Sequence, residues 1–243
     1  MKVAAIIQAR MGSTRLPGKI LKNINGKTLL EYQLERVKRT KNIDQIIVAT
    51  TIKENEQPII ELCEKIGIDY YRGSEDDVLS RYYETAKHYH VDVIVRLTSD
   101  CPLIDPKVID KVVHCYLHNH STFNYVSNTL ERTYPRGLDT EVFSFEALTK
   151  AYHEAVLPRD REHVTAYFYS NPSLFKLLNV RNDQNFERYR WTVDTEEDFK
   201  LIKLIIRELY KFNELFSLED VIKLLKIHPE WNEINAHIEQ KKL

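Results

Sequence analysis

Short unbroken apolar runs alternate with apolar residues at helical spacing through the first half of the chain. Val3-Ala4-Ala5-Ile6-Ile7 is continuous and stops at a loop bearing glycine and proline, as a strand buried on both faces of a parallel sheet does. Leu29, Leu30, Leu34 and Val37 follow at helical spacing, with Glu31, Glu35, Lys38 and Arg39 on the opposite face. Residues 46–50 read as a second strand, 59–66 as a helix and 69–71 as a short third strand, a βαβαβ opening. Val78, Leu79, Tyr82, Tyr83 and Ala86 mark another amphipathic helix ahead of the apolar strand 91–97. Asp105-Pro106 has the form of an N-cap with proline at the first helical position, leading a helix that carries Val108, Ile109, Val112, Val113 and Leu117.

Beyond Phe123 the pattern loosens. Residues 123–127, 140–145, 177–180 and 189–193 read as strands, and 145–155 and 162–169 as helices. Two late helices, 195–210 and 217–225, follow, the second with Ser217 and Asp220 spaced as a capping box. Neither a linker nor an internal repeat interrupts the order. The expected architecture is one α/β domain with a Rossmann-like mixed sheet, an orderly parallel half giving way to irregular strands.

Lys plus Arg number 35 against 36 Asp plus Glu, so no global basic field exists to hold nucleic acid, and phosphate binding has to be local. Cys63, Cys101 and Cys115 form no CxxC pair, which suggests neither a zinc site nor a disulfide framework and fits a reducing compartment. The N-terminal apolar run is too short for a signal-peptide core, and no other run approaches membrane-spanning length. A soluble, cytoplasmic protein is expected.

Ligands of parallel α/β sheets sit beyond the carboxyl ends of strands, which directs attention to the segment between Ile7 and the helix near Thr28. It carries Arg10, Arg15 and Lys19. Gly12 and Gly18 remove side chains that would hold a backbone away from phosphate oxygens, and Pro17 stiffens the turn between Arg15 and Lys19. The segment is not a Walker A loop, because five residues separate the glycines and Ile20 follows Lys19; the dinucleotide G-x-G-x-x-G is absent as well. On charge spacing alone, a phosphate site and a solvated basic loop stand equal.

The run from Ile6 to Lys19, Ile-Ile-Gln-Ala-Arg-Met-Gly-Ser-Thr-Arg-Leu-Pro-Gly-Lys, resembles the opening of the sugar-activating nucleotidyltransferases, particularly the cytidylyltransferases that make CMP-activated acidic sugars. It resembles more closely the SpsF-type proteins of spore coat polysaccharide biosynthesis. The resemblance implies a nucleotide-diphospho-sugar transferase (GT-A-like) fold, with a nucleotide-binding half over 1–120, an acceptor-binding half over 121–210 and C-terminal helices over 211–243. It further implies that Arg15 and Lys19 hold the triphosphate while Ala9, Arg10, Met11, Gly12 and Ser13 lie near base and ribose.

Nucleotidyl transfer rests on positioning and charge neutralisation, so magnesium and carboxylates to hold it are expected beside the cationic loop. Asp100, just past the strand 91–97, is either a turn aspartate or a ligand; it resembles the strand-end aspartate before Pro-Leu that binds metal in this superfamily. Asp194 in Arg190-Trp-Thr-Val-Asp-Thr195 either caps the following helix or resembles the family's second metal-binding aspartate, with Thr195 then taking the cap. Ser74, Asp77 and Arg81 resemble the segment lining the base, although Ser74 and Asp77 also read as a capping box and Arg81 as a surface helix residue. Gly137-Leu-Asp139-Thr-Glu141 resembles the Gly-Leu-Asp-x-Glu segment of the SpsF-type proteins, where the second substrate should lie. Asp139 and Glu141 alternate onto one strand face, where both could bind sugar hydroxyls or a second cation. Arg161-Glu162-His163-Val164-Thr165 also matches this branch, which places Arg161 and His163 at the acceptor; a plain Arg161–Glu162 salt bridge and a structural histidine are the alternative.

The resulting expectation is an Mg2+-dependent enzyme in which a sugar or sugar-acid oxygen attacks the α-phosphorus of a nucleoside triphosphate, CTP by resemblance, and pyrophosphate leaves. Surface or spore coat polysaccharide biosynthesis is the implied setting, with a homodimer as in related enzymes. Arg15, Lys19, Asp100 and Asp194 would carry the chemistry. No serine-histidine-acid or cysteine-histidine motif suggests a covalent intermediate. A glycosyltransferase on a similar sheet is the rival, but no D-x-D occurs in the chain. A non-catalytic nucleotide-binding protein of the same pathway is the other.

Overall fold

A computed structural model describes residues 1–239 of the chain, so the last four residues of the expected C-terminal segment lie outside the described residues. In chain order the strands are β1 (Val3–Gln8), β2 (Asn23–Ile24), β3 (Lys27–Thr28), β4 (Gln45–Thr51), β5 (Asp69–Gly73), β6 (Val93–Thr98), β7 (Tyr125–Ser127), β8 (Glu141–Ser144) and β9 (Leu177–Asn179). The helices are α1 (Leu29–Val37), α2 (Gln57–Ile66), α3 (Val78–His88), α4 (Pro106–Asn119), α5 (Phe145–Glu154), α6 (Pro158–Glu162), α7 (Ala166–Ser170), α8 (Glu196–Leu209) and α9 (Leu218–Ile227).

Seven strands form one mixed sheet in the order β5-β4-β1-β6-β8-β7-β9, and β2 with β3 forms a separate hairpin. Strands β5, β4, β1 and β6 are mutually parallel, β8 runs antiparallel to both β6 and β7, and β9 is parallel to β7. The period of two along β1 sends Val3, Ala5 and Ile7 to one face and Ala4 and Ile6 to the other. Helices α1, α2, α4, α8 and α9 cover the first face, while α3, α5 and α7 cover the second. Burial on both faces explains why β1 has no polar alternation. No helix among the described residues is long and apolar enough to cross a membrane.

Register sets the site. Gln8 pairs with Thr98 across β1 and β6 and with Ala49 across β1 and β4, and Thr51 pairs with Gly73 across β4 and β5. The loops that leave these four strands therefore open on one edge of the sheet, the edge where parallel α/β proteins bind ligands.

Three local expectations change. The helix expected over 162–169 is two short helices, α6 and α7, because Val164 adopts φ 55 between them, a left-handed conformation that breaks helical geometry. The strand expected over 189–193 is reduced to a single bridge between Arg136 and Arg190, because the neighbouring segment turns away at Gly137, whose φ is 102. The β2–β3 hairpin has no counterpart in the periodicity; its signal is the Asn25-Gly26 dipeptide, both residues at positive φ. The capping boxes of α8, at Thr195 and Asp198, and of α9, at Ser217 and Asp220, are both present.

Candidate active site

The cationic loop is built around one peptide. The Met11 carbonyl accepts the backbone N–H groups of Ser13 (2.9 Å) and Gly18 (3.1 Å), which closes the loop on itself. The Met11 N–H donates at 2.9 Å to the carboxylate of Glu56, which is buried and also takes the hydroxyls of Thr50 and Thr51. Gly18 provides the left-handed residue, at φ 64, that starts the 3-10 turn Lys19–Leu21 and swings Lys19 towards the sheet edge.

There the Lys19 ammonium lies 3.0 Å from Asp100 Oδ2 and 2.7 Å from Asp194 Oδ1. Arg15 Nη2 and Arg190 Nη2 reach Asp194 Oδ2 at 2.9 and 2.7 Å, and Arg190 Nε continues to Asp198 Oδ1 at 3.0 Å. Asp198 is fully buried and, with Thr195, makes the capping box of α8, which leaves the Asp194 carboxylate to the site rather than to the cap. Asp100 is tied to the same segment by its carbonyl, which accepts the Val193 N–H at 2.9 Å, and its Oδ1 takes the Thr98 hydroxyl at 2.7 Å. Burial pushes the Asp100 carboxyl up, but Lys19 and the hydrogen bonds from Thr98, Lys19 and Cys101 outweigh it and bring it down to about 2. Burial opposes the Lys19 ammonium, yet Asp100 and Asp194 raise it above its ordinary value. Lys19 and Asp100 therefore face each other as charged groups at neutral pH.

Two facing aspartates are a hard-oxygen donor set, which suits magnesium. Among the described residues no group of three or more His, Cys, Asp or Glu side chains could hold a metal. Asp100 and Asp194 could hold such an ion, with phosphate oxygens and water completing its shell.

A cavity of about 700 Å3 opens over this cluster. Of the residues the sequence singles out, Ala9, Arg10, Ser13, Arg15, Lys19, Asp77, Arg81, Asp100, Arg161, His163 and Asp194 line it. Met11 and Gly12 do not line it; Met11 instead packs against the core and organises the loop. Ser74 also stays off the wall, its hydroxyl accepting the Asp77 N–H at 3.1 Å, so the cap of α3 is Asp77, which takes the Ser80 N–H at 2.8 Å. Arg81 is buried rather than a surface residue: its Nη1 donates to the Ser74 carbonyl at 2.5 Å, and burial lowers its guanidinium below the ordinary value.

Asp77 and Arg161, assigned to different substrates by resemblance, are joined: Arg161 Nε donates to Asp77 Oδ2 at 3.0 Å, and Nη2 pairs with the same oxygen. The Arg161 guanidinium also donates to the Tyr152 carbonyl and lies over the Tyr152 ring. The two acidic residues of the 135–143 segment are away from the cavity wall. Asp139 is held by both guanidinium ends of Arg132, at 2.5 and 2.9 Å. Glu141 is buried, paired with Arg96 and accepting the hydroxyls of Tyr125 (2.5 Å) and Thr165 (2.7 Å).

Gln8, Arg96 and Thr98, which no sequence motif singles out, also line the cavity. Gln8 and Thr98 end β1 and β6, and a polar residue closing an apolar strand is the signal that marks them. Arg96 interrupts β6 itself; its Nη2 donates to Gln8 Oε1 at 3.1 Å.

A mixed sheet with a glycine-hinged cationic loop after its first strand, facing Asp100 just past β6 and Asp194 just ahead of α8, defines a nucleotide-handling α/β protein. The chain belongs to the Cytidylyltransferase family, which it matches over residues 4–240. A solved cytidylyltransferase from Leptospira borgpetersenii serovar Hardjo-bovis is 37% identical, covers 100% of both chains and superposes with a TM-score of 0.92. The spore coat polysaccharide biosynthesis protein SpsF of Bacillus subtilis is 33% identical over 232 residues, 93% of this chain and 94% of that protein. The structure of CMP:2-keto-3-deoxy-manno-octonic acid synthetase complexed with CTP shares the nucleotide-diphospho-sugar transferase-like fold at a TM-score of 0.67 and 17% identity, covering 86% of this chain and 99% of that one.

Proposed function

We propose that the chain transfers CMP from CTP to a hydroxyl of a sugar or sugar acid and releases pyrophosphate, with magnesium held by Asp100 and Asp194. The observation that carries this reading is the Lys19 ammonium seated between those two carboxylates, at 3.0 and 2.7 Å, with Arg15 beside it on the edge of the sheet. Membership of the Cytidylyltransferase family supports the reaction class, and the CTP in the synthetase of the same fold supports the donor.

Arg15 and Lys19 hold the β- and γ-phosphates and stabilise the charge that grows on pyrophosphate as the bond from the α-phosphorus to the bridging oxygen breaks. The magnesium supplies Lewis-acid neutralisation of phosphate charge when bound. Arg10 and Arg81, with Ala9 and Ser13, form the base and ribose end of the cavity. Arg161 and His163 serve the acceptor, Arg161 meeting the nucleotide side at its ion pair with Asp77, and Glu141 acts on the cavity through Arg96, with which it pairs. The likeness to SpsF supports a place in surface polysaccharide biosynthesis.

The test is pyrophosphate release from CTP, with magnesium and a panel of sugars and sugar acids, run beside nucleoside diphosphate release from nucleotide sugars. Pyrophosphate release that disappears in Lys19→Ala and Asp100→Asn supports the reading. Diphosphate release instead assigns a glycosyltransferase, and CTP binding without turnover across the panel assigns a non-catalytic nucleotide-binding protein.

A further inference from the structure

The aspartates proposed to hold the metal are already paired with the protein's own cations. Asp194 Oδ1 accepts from Lys19 and its Oδ2 from both Arg15 and Arg190, while Asp100 offers Oδ2 to Lys19 and Oδ1 to the Thr98 hydroxyl. Among the described residues, the three cations Arg15, Lys19 and Arg190 face the three carboxylates Asp100, Asp194 and Asp198 through direct ion pairs. A divalent ion added to this balanced cluster meets Lys19 and Arg15 as like charges and finds the facing oxygens occupied.

We infer that Lys19 is the resident cation of the Asp100–Asp194 pair in the free protein, and that a divalent metal enters only with the triphosphate that draws Lys19 away. The inference rests on the nucleotidyl-transfer reading and assigns Lys19 a second duty within it. Nucleotide phosphates offer Lys19 and Arg15 an alternative anion, and their departure leaves Asp100 without its cation and Asp194 with Arg190 alone just as the metal arrives.

The geometry permits the exchange. Lys19 is anchored through its backbone, its N–H donating to the Leu16 carbonyl (3.2 Å) and its carbonyl accepting from Lys22 (3.0 Å), so the four-carbon stem can rotate without moving the loop. Arg190 is different: Nε is fixed on buried Asp198, so this guanidinium stays behind Asp194 while the lysine exchanges. One cation is built to remain and one to leave.

The probe is Mn2+ on the intact protein, followed by electron paramagnetic resonance and water-proton relaxation, with and without CTP. Mn2+ should bind the free wild-type protein at least about tenfold more weakly than it binds in the presence of CTP, a coupling of ordinary size. Lys19→Gln, with Lys19→Met as the second substitution, should raise Mn2+ affinity without nucleotide by about tenfold, and adding Asp100→Asn should cancel the gain. Circular dichroism identifies a substituted chain that has not folded, and the wild-type comparison stands without it. Equal Mn2+ affinity with and without CTP overturns the inference, as does a folded Lys19 variant with no gain. Mn2+ binding in the presence of CTP that ignores Asp100→Asn removes the metal assignment itself, and the resident-cation role falls with it.

Discussion

The Glu56 carboxylate, from the turn before α2, holds the Met11 backbone N–H at 2.9 Å and thereby fixes the cationic loop to the end of β4. Because the Met11 carbonyl in turn closes the loop through Ser13 and Gly18, one buried acid sets the position of Arg10 to Lys19. Glu56→Leu leaves that N–H and the hydroxyls of Thr50 and Thr51 without their acceptor, at a cost of about 1–3 kcal/mol in stability for an orphaned buried group. It should also lower kcat/KM for CTP by about a hundredfold, the price of an ångström of misplacement. Glu56→Gln retains an acceptor for Met11 and should restore most of both. Denaturant unfolding and steady-state kinetics on the three proteins check this, and a Gln variant as impaired as Leu would refute a clamp made by hydrogen bonding.

Glu141 and Arg96 form a buried pair across β8 and β6. Removing one partner leaves a charge uncompensated, so Glu141→Leu should cost about 3–5 kcal/mol. Arg96→Met combined with Glu141→Leu should recover much of that loss, since an apolar pair of similar volume often replaces a buried ion pair without penalty. Urea denaturation of the single and double variants reads the coupling. Additive losses would mean that Tyr125 and Thr165, rather than Arg96, define the environment of Glu141.

Which parts of this protein were readable from residues alone follows from how local their causes are. The parallel half was legible because apolar runs and helical spacing are local, and the loop with Asp100 and Asp194 was legible because each sits at the end of a strand or beside a helix start. The ion pair between Asp77 and Arg161 joins residues far apart in the chain, and nothing at either position signals the other. Glu141 looked available to a sugar because strand alternation gives its face but not the Arg96, Tyr125 and Thr165 that meet it there. The 189–193 segment has strand composition; its ladder ends because Gly137 turns the neighbouring chain, a cause that lies outside the segment.

Burial pushes the Cys63 thiol up to about 12, with Glu64 adding to it, and burial likewise pushes the Tyr82 hydroxyl up to about 12. In the unfolded chain these groups lose their protons near about 8.5 and about 10. Between those values and 12 the folded state binds more protons than the unfolded one, so stability falls as pH rises. The contribution is complete below about pH 8.5 and is lost towards pH 12. Thermal midpoints should therefore stay level in this respect up to about pH 8.5 and decline above it, with a shallower decline between about pH 9 and 10 in Cys63→Ala.

Gly137 makes the closest backbone approach near the site. A Cβ added there would lie 2.8 Å from the Trp191 carbonyl carbon, 2.9 Å from its oxygen and 3.0 Å from the Thr192 nitrogen, at a φ of 102. Those atoms belong to the segment that runs into Asp194, held in place by the Arg136 N–H on the Tyr189 carbonyl (3.0 Å) and the Trp191 N–H on the Arg136 carbonyl (2.8 Å). Neither backbone can give way without breaking these bonds. Gly67 is the control, since it also has positive φ, 65, but meets nothing within 4 Å of an added Cβ. Gly67→Ala should cost about 1–2 kcal/mol, the strain of the left-handed conformation alone. Gly137→Ala adds the collision and should cost about 3–4 kcal/mol. At a temperature where both variants are folded, only Gly137→Ala should lose CTP-dependent turnover, because only there does the displaced segment carry Asp194 away from Lys19 and Asp100. Equal turnover in the two variants would show that the Trp191 segment can shift without moving Asp194.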